Sequence, residues 1–178
     1  GTGSLATPWE AGHGSAAVTG PGKAWFFGEG YTVDTPSLAF DTFLLLANPG
    51  AVASEVTVEF LLENDTPIVK TYQLAPTSRQ SVWVDLLTDR DGVLGRSAFS
   101  MRVVATEPII AERAMYWGPQ EAGVTRWQEA HNSPGVTVPA LKWAFADGVQ
   151  GGVDVTGLPF ESFFLLANPG DTSLSLRA

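Results

Sequence analysis

The chain writes one phrase twice: Phe-Asp-Thr-Phe-Leu-Leu-Leu-Ala-Asn-Pro-Gly over 40–50 and Phe-Glu-Ser-Phe-Phe-Leu-Leu-Ala-Asn-Pro-Gly over 160–170. A lone buried strand has no use for a copy of itself, so the repetition points to a repeated structural unit. Displacing the chain by 118 residues pairs Trp9 with Trp127, His13 with His131, Val18 with Val136, Trp25 with Trp143, Phe27 with Phe145 and Gly30 with Gly148. Two residues are gained before the second copy of the phrase, an insertion of the kind that loops absorb. A period of about 118 is that of a module, because solenoid repeats run at roughly 20 to 50 residues.

In this frame residues 1–22 match the C-terminal tail of a module, 23–140 make one complete module, and 141–178 match the N-terminal part of the next. The expectation is a stretch of a tandem array. The rival is that each partial module is completed by a neighbouring chain, the way donor strands complete a sheet.

Period-two alternation marks half-buried strands over Ser54–Leu62, Arg79–Leu86 and Ala98–Val104, and Ile109–Trp117 reads as a further apolar strand. Turn signals separate them at Asn48-Pro49-Gly50, Glu63-Asn64-Asp65, Pro76-Thr77-Ser78 and Asp89-Arg90-Asp91-Gly92. No segment carries an amphipathic 3.6-residue period. The pattern predicts an all-β fold of antiparallel Ig-like β-sandwich modules in tandem, with about seven strands in each.

Within the repeated phrase Phe43, Leu45 and Ala47 lie on one strand face and Leu44 and Leu46 on the other, and all are apolar. The outer face of a sandwich strand normally meets water, so something must cover this one. One candidate is a loop of the same module, the Trp-rich stretch 117–127; the other is a neighbouring module or chain. Leu44 and Leu46, with Phe164 and Leu166 in the second copy, are accordingly candidate interface residues.

Nineteen acidic against ten basic residues give a net charge of −9, which repels phosphate backbones, so no nucleic-acid partner is expected. Apolar runs such as 43–47 fall far short of the roughly 20 residues a spanning helix needs, so no membrane insertion is expected in this segment. There is no cysteine, so the fold relies on its core and not on disulfides.

The motifs that could carry chemistry are weak. His13-Gly14-Ser15 and His131-Asn132-Ser133 place a base two residues from a nucleophile, yet no orienting carboxylate or oxyanion site accompanies them. The structural alternative is a histidine that fixes a turn or packs beside Trp25 or Trp143. Two histidines 118 residues apart, without cysteine, make no zinc site. Asp85, Asp89 and Asp91 are weak calcium candidates, because the twelfth position counted from Asp89 is Ser100 and not the glutamate of an EF-hand. Gly20-Pro21-Gly22-Lys23-Ala24 lacks both the hydroxyl and the first glycine of a phosphate loop. Arg113, in an apolar strand, is expected to pair with Glu107, Glu112 or Asp41. Among six tryptophans, Trp83 faces opposite Val82 and Val84 and is the exposed-aromatic candidate for stacking on a sugar. No catalytic residue and no cofactor are expected.

Taken in order, Lys23-Ala-Trp-Phe-Phe-Gly-Glu-Gly-Tyr-Thr, Phe40 to Gly50, Val56-Thr-Val-Glu-Phe, Glu107 to Trp117 and Trp9-Glu-Ala-Gly-His resemble a tandem repeat of large bacterial secreted and cell-surface proteins. The resemblance implies a β-sandwich unit without assigned activity, at an extracellular or cell-surface location. The sequence departs from it at Ala144 to Gly148 and at Glu129-Ala130-His131. The function expected is that of a non-catalytic structural module, building a stalk or fibre through contacts with neighbouring modules or copies of itself. The alternative is an adhesive surface module binding carbohydrate or calcium.

Overall fold

The computed structural model describes residues 14–15, 17–120, 127–145, 148–153, 157 and 162–177. Eight strands follow in order: β1 (Gly22–Tyr31), β2 (Val33–Thr35), β3 (Leu38–Asn48), β4 (Ser54–Leu62), β5 (Ile68–Leu74), β6 (Ser78–Trp83), β7 (Ala98–Gly118) and β8 (Glu129–Pro134). Two short 3-10 segments, Val84–Leu86 and Arg90–Gly95, join β6 to β7. No α-helix forms among the described residues, and none of them makes a helix long and apolar enough to cross a membrane.

Turn chemistry sets where the strands end. Asn48 closes β3 by donating Nδ2 to the carbonyls of Val52 at 2.8 Å and Ala75 at 3.1 Å, while its Oδ1 accepts from Gly50 N at 3.0 Å. Asn64 takes a positive φ of 58° in the β4–β5 turn, a conformation asparagine tolerates better than most residues. β4 begins and ends where the alternation placed it.

One strand decides the architecture. β7 is 21 residues long; its first half pairs antiparallel with β1 and β4, and its second half with β3 and β8. β2 and β6 flank β3, and β5 flanks β4. Because a single strand belongs to both halves, all eight strands form one curled antiparallel sheet, a half-barrel. The all-β, antiparallel expectation holds. The tandem Ig-like sandwich does not, because a sandwich needs two separate sheets facing each other. Ala98–Val104 and Ile109–Trp117, read from sequence as two strands, are the ends of this one strand, which runs on through Pro108. The expected strand Arg79–Leu86 likewise stops at Trp83 and turns into the 3-10 segment.

The core fills the curl. Trp25 and Phe27 from β1, Leu44 and Leu46 from β3, Val56, Val58 and Phe60 from β4 and Met101, Val103 and Ile109 from β7 pack together with Val84 and Leu94 from the connecting turns. Gly30 is required here by space: a Cβ on it would lie 2.2 Å from the ring of Phe99. Leu44 and Leu46 are essentially unexposed, so they belong to this core and offer nothing to a partner.

Candidate functional site

The outer face of β3 carries the densest side-chain chemistry. Phe43 sits opposite Trp83 of β6, and its ring meets Trp83, Tyr116 and Trp127 at centroid distances of 5.2, 5.6 and 5.8 Å. Beneath them lies Asp41, fully buried: Trp83 Nε1 donates to one carboxylate oxygen at 3.1 Å and Trp127 Nε1 to the other at 2.6 Å. Asp85 approaches from the first 3-10 segment and accepts from Thr42 N at 3.1 Å. Burial, and then the neighbouring Asp41 carboxylate, push the Asp85 carboxyl up to about 7, against the lowering pull of the Thr42 amide. At Phe43, then, Trp127 of the same chain provides the cover that the apolar face demanded. Trp83 spends its indole N–H on Asp41 and its ring on Phe43 and Trp127, so it is a packing residue and not the free stacking platform the alternation suggested.

A second constellation is built around Arg113, which is 4% exposed. Its Nη1 donates to Glu29 Oε2 at 2.7 Å and to the Glu29 carbonyl at 3.1 Å, and Nη2 lies 2.7 Å from His131 Nδ1. The expected structural ion pair is present, but with Glu29, none of the three partners named from sequence. β1 crosses β7 here through tertiary pairing, and residues 84 apart carry no local signal of their meeting. His131 fixes this arginine from β8. His13 lies outside the described residues.

The calcium candidates are committed elsewhere. Asp89 caps the second 3-10 segment, accepting from Val93 N at 2.7 Å and Leu94 N at 2.9 Å, and Asp91 occupies the turn at φ 58°. Among the described residues no group of three His, Cys, Asp or Glu is placed to hold a metal ion.

The remaining candidates, Phe164 and Leu166, lie in the second copy of the repeated phrase. Four hydrogen-bonded motifs of residues 22–52 recur there. Trp25 Nε1 donates to the carbonyl of Gly22 at 3.2 Å, and Trp143 Nε1 donates to Ala140 at 3.0 Å. The Thr42 hydroxyl bridges Tyr31 N and O at 3.1 and 2.6 Å; the Ser162 hydroxyl bridges Val149 N and O, both at 2.9 Å. Asn48 Nδ2 reaches Val52 O at 2.8 Å, and Asn168 Nδ2 reaches Thr172 O at 2.7 Å. Gly50 N and Gly170 N close on the asparagine Oδ1 at 3.0 and 3.1 Å.

These side-chain bonds recur, but no strand forms among the described residues of 141–177, and the side chains that match the core are bare. Trp143, Phe145, Phe164 and Leu166 are 52–59% exposed, where their counterparts Trp25, Phe27, Leu44 and Leu46 are at most 4% exposed. This segment touches the sheet at β1, where a Cβ on Gly28 would lie 2.7 Å from the carbonyl of Leu165. A cavity of about 240 Å³ lies between them, lined by Phe27, Met101, Arg113, Trp143, Phe145 and Leu165.

No protein-family profile matches the chain, and no curated protein matches it in sequence. Its fold is similar to that of Thermotoga maritima 1070, with a TM-score of 0.54 at 19% identity over 67% of this chain and 96% of that one. The Anabaena sensory rhodopsin transducer also aligns, at a TM-score of 0.45 and 15% identity over 55% of this chain and 86% of that one. The first likeness concerns the fold alone, a half-barrel. The resemblance to a bacterial surface repeat of β-sandwich units is thereby overturned: no family profile carries it, and the structural kinship lies with a curled half-barrel sheet.

Proposed function

We propose that the protein is a non-catalytic structural module, made to stand beside further units of its own kind and to join them through strand contacts. One observation carries this reading: Trp143, Ser162 and Asn168 repeat the side-chain hydrogen bonds of Trp25, Thr42 and Asn48, while the side chains that match the core stay uncovered. A sequence that keeps the capping tryptophan, the bridging hydroxyl and the asparagine turn in a second copy is keeping an architecture. The two constellations that could suggest chemistry support the same reading, because Asp41 is held by two indoles and Arg113 by Glu29 and His131, inside the fold. An adhesive module for carbohydrate or calcium is the competing reading, and the engagement of Trp83, Asp85 and Asp89 in internal bonds weighs against it.

Light scattering over a range of concentrations tests the proposal on the full chain and on residues 23–140. A mass that rises with concentration for the full chain, with 23–140 remaining a monomer, is the expected result. Concentration-independent mass for both, together with a melting temperature raised by calcium or by a glycan, would favour the adhesive reading.

A further inference from the structure

Two carboxyl groups meet beneath the aromatic cover of Phe43, and the bond between them requires a proton. Asp41 of β3 is fully buried and accepts from Trp83 Nε1 at 3.1 Å and from Trp127 Nε1 at 2.6 Å. Asp85 of the first 3-10 segment is half-buried; it accepts from Thr42 N at 3.1 Å, and its side chain is also hydrogen-bonded to Asp41. Two ionised carboxylates are acceptors only, so in this arrangement Asp85 is the donor, and its O–H joins the two indoles on Asp41. We propose that the Asp41–Asp85 pair is a clasp worked by a single proton, which pins the segment Val84–Leu86 to β3 while the proton is bound and releases it when the proton is lost. The clasp stands independently of whether the chain associates.

The fold fixes which side moves. Asp41 lies where β3 pairs with β7 from Ala39 to Ala47, with β2 and β6 along its other edge, so its backbone is held. Asp85 sits in a three-residue turn closed by Leu87 N on the Val84 carbonyl at 3.0 Å, next to Leu86, which is 69% exposed. Repulsion between two ionised carboxylates therefore sends Asp85 out to water and strips Thr42 N of its acceptor. Trp83 precedes Val84 in the chain and bonds to the same Asp41 carboxylate, so the release loosens the aromatic cover on its β6 side. Around the pair, β7 places Tyr116 opposite Asp41, its ring against Phe43 and Trp127, and Glu112 four residues away. β2 places Asp34 opposite Ala39, where it accepts from Gln120 Nε2. Glu129 and His131 of β8 pair with Trp117 and Met115, which flank Tyr116 and belong to the other sheet face. Arg79 of β6 is opposite Ala47, at the far end of β3. In and beside the second 3-10 segment, Asp89 accepts from the Val93 and Leu94 amides, Arg90 pairs with Asp65 at 2.9 Å, and Arg96 donates to the Asp91 carbonyl at 2.8 Å. Burial first, and then the Asp41 charge, hold the Asp85 carboxyl up at about 7.

Amide hydrogen exchange of the full chain between pH 5 and pH 9 tests the clasp, read at Thr42 and Leu87 as protection relative to the unstructured rate at each pH. A carboxyl that titrates near 7 when clasped and near 3.8 when free loosens its contact as pH rises between the two values, and no further above 7. Protection at both amides should therefore fall by about a hundredfold from pH 5 to pH 9, most of it below pH 7. At every pH it should stay below the protection of residues 98–105 in β7, the mark of a local release. Asp85→Asn keeps an acceptor for Thr42 N and a donor for Asp41, so it should hold the protection found at pH 5 up to pH 9. Protection that is level across the range in the parent chain overturns the proposal, as does a fall of equal size in Asp85→Asn. Protection at Thr42 and Leu87 that matches β7 throughout reports only global unfolding and overturns it as well. Should Asp85→Asn fail to fold, the parent's profile and its comparison with β7 decide alone.

Discussion

Asp85 is the residue whose surroundings most alter its chemistry. Its carboxyl titrates near 7 in the folded chain against an ordinary 3.8, with burial as the first cause and Asp41 as the second. The folded state therefore holds a proton that the unfolded chain gives up near pH 4. Its contribution to stability is full below about pH 4, declines as pH rises, and is gone above about 7. Asp85→Asn imitates the protonated form and keeps an acceptor for Thr42 N. It should raise the melting temperature at pH 8 and flatten the dependence between pH 4 and 7, measured by thermal denaturation followed by circular dichroism. Tyr72 offers a contrast. Its hydroxyl is buried without a hydrogen-bond partner, and burial raises its pKa to about 12. Tyr72→Phe removes a desolvated group that gains nothing in return, so the melting temperature is expected to hold or rise. A drop of several degrees would mean that the hydroxyl has a partner in solution.

At the scale of elements, the turn at Asn48 and the close approach at Gly30 are the points where the sheet is most sensitive. Asn48→Ala leaves the carbonyls of Val52, Leu74 and Ala75 and the Gly50 amide without their side-chain partner, at a cost of about 1–3 kcal/mol by denaturant unfolding. Gly30→Ala drives a methyl into the Phe99 ring and is expected to cost about 1–3 kcal/mol, unless β1 shifts at the register break between Phe27 and Gly30. The alternation of Ser54–Leu62 located β4 correctly because its two faces see different surroundings. The same rule divided β7 in two: Glu107-Pro108 looks like a break, yet the Ser54 hydroxyl accepts from the Glu107 amide at 3.1 Å and donates to its carbonyl at 3.1 Å, and the strand carries on past the proline.

For the whole molecule, the exposed core of the second copy should govern association and not stability. Phe164 is 57% exposed and lies outside the packed core, so Phe164→Asp is expected to leave the main melting transition within about 0.5 kcal/mol of the parent, as surface substitutions usually do. The same substitution should abolish the concentration dependence of mass in light scattering. A large loss of stability would instead mean that 162–168 is an integral part of the folded unit.

Local chemistry was determined by the sequence alone. The β4 alternation and the asparagine turn follow from spacing and from side chains that bond to their own backbone, and such effects act whatever the rest of the chain does. The tertiary structure decided the rest. That Arg113 meets Glu29, that two tryptophans 44 residues apart close on Asp41, and that Leu44 and Leu46 face a shared core depend on which strands pair. The curled half-barrel replaced the sandwich for the same reason: strand pairing is a long-range choice, and one 21-residue strand hydrogen-bonded along both halves joins into a single sheet what local alternation can only describe as separate strands.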